Sequence, residues 1–114
     1  ADLTVDPYAA ARRGLVAGAI AAQAIGSGQT YQDFLGSRVI GTSYQNTTQK
    51  PNVVSISVTS GSLQHSEVSQ DNITWVKVSR VSTVSVSSQT FIVLPGYYYR
   101  LTGGSTITLW TEIR

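Results

Sequence analysis

The stretch "NVVSISVTS", residues 52–60, alternates with a period of two: Val54, Ile56 and Val58 fall on one side, Ser55, Ser57 and Thr59 on the other. Successive side chains of an extended chain point to opposite faces, so this pattern reads as a strand with one buried and one solvated face. The same character continues outward. Downstream, "SLQHSEVS" (62–69) is a weaker strand, and "NITWVKVS" (72–79) sets Thr74, Val76 and Val78 against Ile73, Trp75 and Lys77. "VSTVSVSS" (81–88), "TFIVL" (90–94), "YYYRL" (97–101) and "TITLWTEI" (106–113) read as further strands, with turns at Pro95-Gly96 and Gly103-Gly104. Upstream, "RVIGTSY" (38–44) reads as the first strand. Six to eight short strands with no helix between them predict a mainly β fold, an antiparallel β-sandwich or jelly roll.

Composition agrees with one domain of that class. The chain has 114 residues and no cysteine, so neither disulfides nor thiolate metal sites are available. Charged residues make up 12%, about half the usual share, and the formal net charge is +2. Ser, Thr, Asn and Gln supply the polarity instead. That balance suits a β-rich protein, or a chain whose surface is covered by neighbouring subunits. The basic residues are scattered apart from Arg12-Arg13, which argues against nucleic acid as a partner.

The N-terminal part has a different character. Asp6-Pro7 is a helix start, and the alanine-rich run that follows has high helix propensity until Gly26-Ser27-Gly28. One N-terminal α-helix is therefore expected, as an arm over residues 1–27, with the β domain over 28–114. Ala10, Gly14, Gly18 and Ala22 form a stripe of small side chains, flanked by Leu15, Val16 and Ile20. Two interior glycines cost roughly 1 kcal/mol each against alanine, so the helix needs a partner surface. That surface is either the chain's own sheet or another subunit. In the second case Arg12, Arg13, Leu15, Val16 and Ile20 are the docking residues. "RRGLVAGAIAAQAIG" (12–26) imitates a secretory signal, but two aspartates precede it and its apolar run of about 12 residues is short of the roughly 20 that span a bilayer. It is read as part of the mature chain, with no membrane partner. Ala1, the residue left when a start methionine is trimmed, fits a complete small gene product.

Strand parity sorts the C-terminal aromatics. Tyr97 and Tyr99 point one way and Tyr98 the other, so one set enters the core and the other lies outside. In the last strand Ile107, Leu109 and Ile113 form the expected core face, and Trp110 then projects outward as an interface residue unless a bulge intervenes. Exposed aromatic rings on a sandwich can also stack on sugars, which keeps Tyr97, Tyr98 and Tyr99 as candidate ligand-binding residues.

Catalytic patterns are lacking. His65 is the only histidine, no nucleophile-elbow motif accompanies it, and no phosphate-binding glycine loop follows a strand. Asp33, Glu67, Asp71 and Glu112 sit in unrelated contexts, without the support a pair of catalytic carboxylates needs. The expectation is a non-enzyme with no catalytic residue, no metal and no cofactor. Asn46-Thr47-Thr48 and Asn72-Ile73-Thr74 match the N-glycosylation pattern, which Asn/Thr-rich chains often show by chance.

Read in order, the quoted elements resemble a small β-sandwich module of tailed-bacteriophage virion structural proteins. They are Gly28-Gln29-Thr30-Tyr31, then Gly41-Thr42-Ser43-Tyr44-Gln45-Asn46-Thr47-Thr48-Gln49-Lys50-Pro51, then Pro95-Gly96-Tyr97-Tyr98-Tyr99, then Trp110-Thr111-Glu112-Ile113-Arg114. The resemblance covers about residues 28–114, with Ile113 where the module more usually has leucine. It implies a virion structural protein on the outer surface of the particle. No shaft repeat is present, which favours a capsid decoration or cement protein bound to the major capsid protein or to copies of itself. A tail-fibre tip module binding a host-surface glycan is the alternative, and a short adhesin or lectin domain a third reading.

Overall fold

The computed structural model of the protein describes residues 24–59, 63–82, 86–103 and 106–114. Among them are eight strands: β1 (Tyr31–Asp33), β2 (Tyr44–Gln45), β3 (Asn52–Thr59), β4 (Leu63–Ser69), β5 (Val76–Ser82), β6 (Val86–Val93), β7 (Tyr98–Gly103) and β8 (Thr106–Ile113). A 3-10 turn, Leu35–Ser37, follows β1. The strands form two four-stranded antiparallel sheets, ordered β1-β8-β3-β6 and β2-β7-β4-β5. Among the described residues no helix is long and apolar enough to cross a membrane. Of the expected α-helical arm over 1–27, residues 1–23, with Arg12, Arg13, Leu15, Val16 and Ile20, lie outside the described ones, and 24–27 are in a turn. The described chain opens in a turn in which the Ser27 N–H donates to the Ala24 carbonyl at 3.1 Å.

Both sheets contribute to one core, consistent with a β-sandwich. Val54, Ile56 and Val58 of β3 meet Phe91 and Val93 of β6 and Trp110 of β8 from the first sheet, and Tyr99 and Leu101 of β7 from the second. The alternation of residues 52–59 is therefore the core pattern it was read to be. Each such aliphatic side chain contributes roughly 1.5–3 kcal/mol on burial. Tyr99 is fully buried, while Tyr97 and Tyr98 are half-buried. Of the pair that parity groups, Tyr99 enters the core and Tyr97 packs against its margin, while Tyr98 is not part of it.

Four expectations need correction. Residues 38–43 do not form a strand; only Tyr44–Gln45 pairs, as β2. Gly41 stands at φ +84°, a conformation that side chains with a Cβ rarely adopt, and it bends the chain into a turn. Its N–H donates to the Leu101 carbonyl at 2.7 Å. The strand read at 72–79 begins only at Val76. Before it, the Asp71 carboxylate accepts the Ile73 and Thr74 N–H groups at 2.8 Å each and holds a turn in which Asn72 takes φ +62°. The strands read at 81–88 and 90–94 are divided elsewhere: β5 ends at Ser82, and β6 runs unbroken from Val86 to Val93.

The fourth correction concerns Trp110. It is fully buried, and Leu109 is 42% exposed, the reverse of the expected faces. The cause is a bulge. Val58 pairs with Ile107 but Ser57 pairs with Leu109, so Thr108 is an extra residue on β8. An extra residue in one strand inverts the faces of everything beyond it. Ile107 still packs on the core before the bulge; after it, Trp110 and Glu112 point inward. Trp110 is therefore a core residue and offers no surface to a partner.

Candidate interaction surfaces

The inward turn of β8 brings a carboxylate into the core. Glu112 is fully buried and accepts from Tyr99 Oη at 2.8 and 2.9 Å, Trp110 Nε1 at 2.9 Å, Arg38 Nε at 3.2 Å and Arg114 at 3.2 Å. Arg38 lies between two rings, its guanidinium carbon 4.2 Å from the Phe34 centroid and 4.3 Å from that of Tyr44. A buried charge persists only when paired and fully hydrogen-bonded, and these donors meet that condition. Burial, with the neighbouring Glu112 charge, holds the Tyr99 hydroxyl well above the usual tyrosine range. Trp110 and Tyr99, both candidates from sequence, thus serve the interior.

The "QNTTQKP" segment is likewise structural. Asn46 is fully buried; its amide donates to the carbonyls of Lys50 at 2.8 Å and Val93 at 3.0 Å, and its oxygen accepts from the Thr48 N–H and hydroxyl. A glycan on Asn46 is incompatible with this packing. The Lys50 ammonium donates to the Ser27 carbonyl, tying the segment to the opening turn.

Among the described residues the outer faces of the two sheets differ. On the first sheet the register aligns Tyr31, Ile113, Val53 and Ile92 in one row across all four strands. Tyr31 is 80% exposed and Ile92 50%. The next row is Asp33, Thr111, Ser55 and Thr90, and the one after it Leu109, Ser57 and Ser88. Hydroxyls pair with each other across the strands, Ser55 with Thr90 at 3.2 Å and Ser57 with Ser88 at 2.8 Å. The single charge in these rows, Asp33, sits on the short edge strand and accepts the Leu35 N–H at 2.9 Å.

On the second sheet the outer rows are Gln45, Tyr98 and Ser69; Arg100, Glu67 and Lys77; and Thr102, His65 and Arg80. Glu67 is nearly buried, accepts the Thr102 hydroxyl at 2.9 Å and lies 3.5 Å from Arg100. Arg100 in turn stands over the Trp75 ring at 3.9 Å. Alternation alone hid this grouping, because a second bulge shapes it: Ser66 pairs with Ser79 and Glu67 with Lys77, leaving Val78 as the extra residue. A further cleft, about 370 Å³, opens beneath the Asp71 turn and is lined by Val68, Thr74, Val76 and Tyr97 among others. Among the described residues no three of His, Asp and Glu gather closely enough to hold a metal ion. Comparison with family models, with curated proteins and with solved structures finds no match to the chain.

Proposed function

We propose that this chain is a bacteriophage virion structural protein, a capsid decoration or cement protein that binds and stabilises the assembled head and has no catalytic role. The observation that carries the reading is the outer face of β1-β8-β3-β6. Its apolar row of Tyr31, Ile113, Val53 and Ile92 borders a field of serine and threonine with one charge at the edge. A face of this kind docks on a protein surface without stripping ions of their water, and its hydroxyls already satisfy each other. Weak contacts of many copies on a repeating lattice then add through avidity. The likeness of residues 28–114 to virion modules supplies the setting. The alternation of consecutive strands β1 to β4 between the two sheets, with β5 and β6 crossing between them, fits a jelly roll as the finer description of the fold. The arm carrying Arg12, Arg13, Leu15, Val16 and Ile20 is the second proposed contact.

A fibre-tip role in glycan binding is the second reading, favoured by the cleft that Tyr97 lines with Val68 and Val76. Tyr98 stays half-exposed on the adjoining face, whereas buried Tyr99 is withdrawn from it.

Cryo-electron microscopy of particles with and without the chain tests the proposal: density on the head lattice is expected, and density at a fibre tip overturns it in favour of the second reading. Thr90→Arg, on the exposed face of β6, should change stability by no more than about 0.5 kcal/mol and abolish decoration. Deleting residues 1–26 should leave a folded β domain that no longer co-sediments with heads; normal binding by the truncated chain removes the arm from the proposal.

A further inference from the structure

We propose that the outer face of β2-β7-β4-β5 carries a binding site for an acidic saccharide, centred on His65, Lys77 and Arg80. The three side chains line a shallow cleft of about 370 Å³ together with Val78 and Ser79. The bulge at Val78 creates the grouping. Under simple alternation Lys77 and Ser79 share a face and Arg80 falls on the other. With Val78 as the extra residue, Ser79 turns inward and donates to Gln89 Oε1 at 2.6 Å, while Arg80 pairs across the strands with His65 on the side of Lys77. Bulges commonly re-aim side chains in this way beside functional sites.

The cluster has charge to offer. Among the described residues, neither Lys77 nor Arg80 lies within ion-pairing distance of a carboxylate; Glu67, the nearest by register, is engaged by Arg100 and Thr102. A guanidinium fork, an ammonium and an imidazole in one cleft suit a carboxylate or sulfate group. Trp75, the residue before β5 and two before Lys77, lies outside the residues that line the cleft but on the same outer face, where Arg100 stands over its ring. An acidic oligosaccharide whose anionic group sits in the cleft extends past Lys77 to a second sugar ring at Trp75. A phosphate backbone needs a continuous basic track, and Glu67 interrupts the row between Arg100 and Lys77. An acidic peptide is matched by charge alone and makes no use of the ring. Charge on an edge strand also deters pairing with other chains, but for that purpose exposure suffices, and no bulge is needed to gather two cations beside a histidine. The site stands apart from head attachment, which uses the opposite face.

The test is an NMR titration of the full chain with three probes: a heparin-derived tetrasaccharide, an oligogalacturonate and a neutral dextran oligomer. At least one acidic probe should shift amides within 63–66 and 75–81, and the neutral one should not; the two acidic probes separate sulfate from carboxylate recognition. The double variant Lys77→Ala/Arg80→Ala should weaken binding about tenfold or more with an unchanged melting temperature. Ser88→Glu lowers the net charge from the opposite face and should bind as the parent does. The proposal is overturned if neither acidic probe binds, if the double variant binds as tightly as the parent, if Ser88→Glu loses as much as the double variant, or if a single-stranded oligonucleotide or polyglutamate binds more tightly than both saccharides.

Discussion

Each sheet holds one carboxylate joined to an arginine that rests on an aromatic ring, and the two clusters lie on opposite sides of their sheets. In the first sheet Glu112 points inward, where Tyr99, Trp110, Arg38 and Arg114 enclose it. In the second, Glu67 points outward, with Arg100, Thr102 and Trp75 around it. The difference teaches how a chain with few charges distributes them. By drawing its carboxylate inside, the first sheet keeps an outer face of hydroxyl and apolar groups; by leaving its own outside, the second keeps a charged one. The first face is the one proposed to meet a protein lattice, the second the one proposed to meet a ligand recognised by charge.

This contrast can be broken most directly at the carboxylates. Glu112→Ala strands Arg38 and Arg114 beside buried hydroxyl and indole donors, and should cost about 3–5 kcal/mol in chemical denaturation. Glu67→Ala removes one hydroxyl bond and a looser ion pair, 3.5 Å long, whose arginine side chain is 28% exposed, and should cost about 1–2 kcal/mol. Equal losses would mean that inside and outside do not differ as described. The tryptophans sharpen the same contrast. Trp110→Ala should cost about 3–5 kcal/mol through the cavity it leaves, whereas Trp75→Ala, losing mainly its contact with Arg100, should cost about 0.5–1 kcal/mol.

Titration separates the interior from the surface more gently. The Tyr99 hydroxyl is pushed up by burial first and by the Glu112 charge second, so its contribution to stability is complete below the ordinary tyrosine pKa near 10 and is lost as pH rises past it. In an ultraviolet titration one tyrosine should therefore ionise only on unfolding. At the surface, the Thr74 and Ile73 N–H groups, followed by the Ser69 hydroxyl, hold the Asp71 carboxyl down to about 2 from 3.8. A depressed carboxylate stabilises above its unfolded pKa and ceases to do so as pH falls from about 4 to about 2. Amide exchange at Ile73 and Thr74 should accelerate across that window while the core amides stay protected.

The parts of this arrangement that were legible in the sequence are those where one residue follows another without interruption. Val54, Ile56 and Val58 announce their shared face because β3 is regular from Asn52 to Thr59. Tyr99 could be separated from Tyr98 by parity for the same reason. Trp110 could not be placed, because one extra residue, Thr108, reverses the faces after it and leaves no compositional trace. The grouping of Lys77 with Arg80 was hidden by Val78 in the same manner. β1 gave no signal because all three of its residues are exposed and nothing alternates. The inward carboxylate was likewise illegible: Glu112 near the end of a polar-looking strand carries no local mark of burial, and its partners Arg38 and Tyr99 stand 74 and 13 residues away.

The place of β8 between β1 and β3 has a consequence for the order in which the protein is made. Synthesis delivers residues from the N-terminal side at about 5–20 per second, so β3 and β6 leave the ribosome well before β8 does. Until residues 106–113 arrive, β1 has no strand to pair with and the second long edge of β3 is open. Val54 and Ile56 wait during that interval without Trp110, and Arg38 without Glu112. The second sheet has no such gap once β7 has emerged, since β2, β4 and β5 all precede it. All strands of the second sheet are thus made before β8 completes the first, and the face proposed for assembly is the last to be finished.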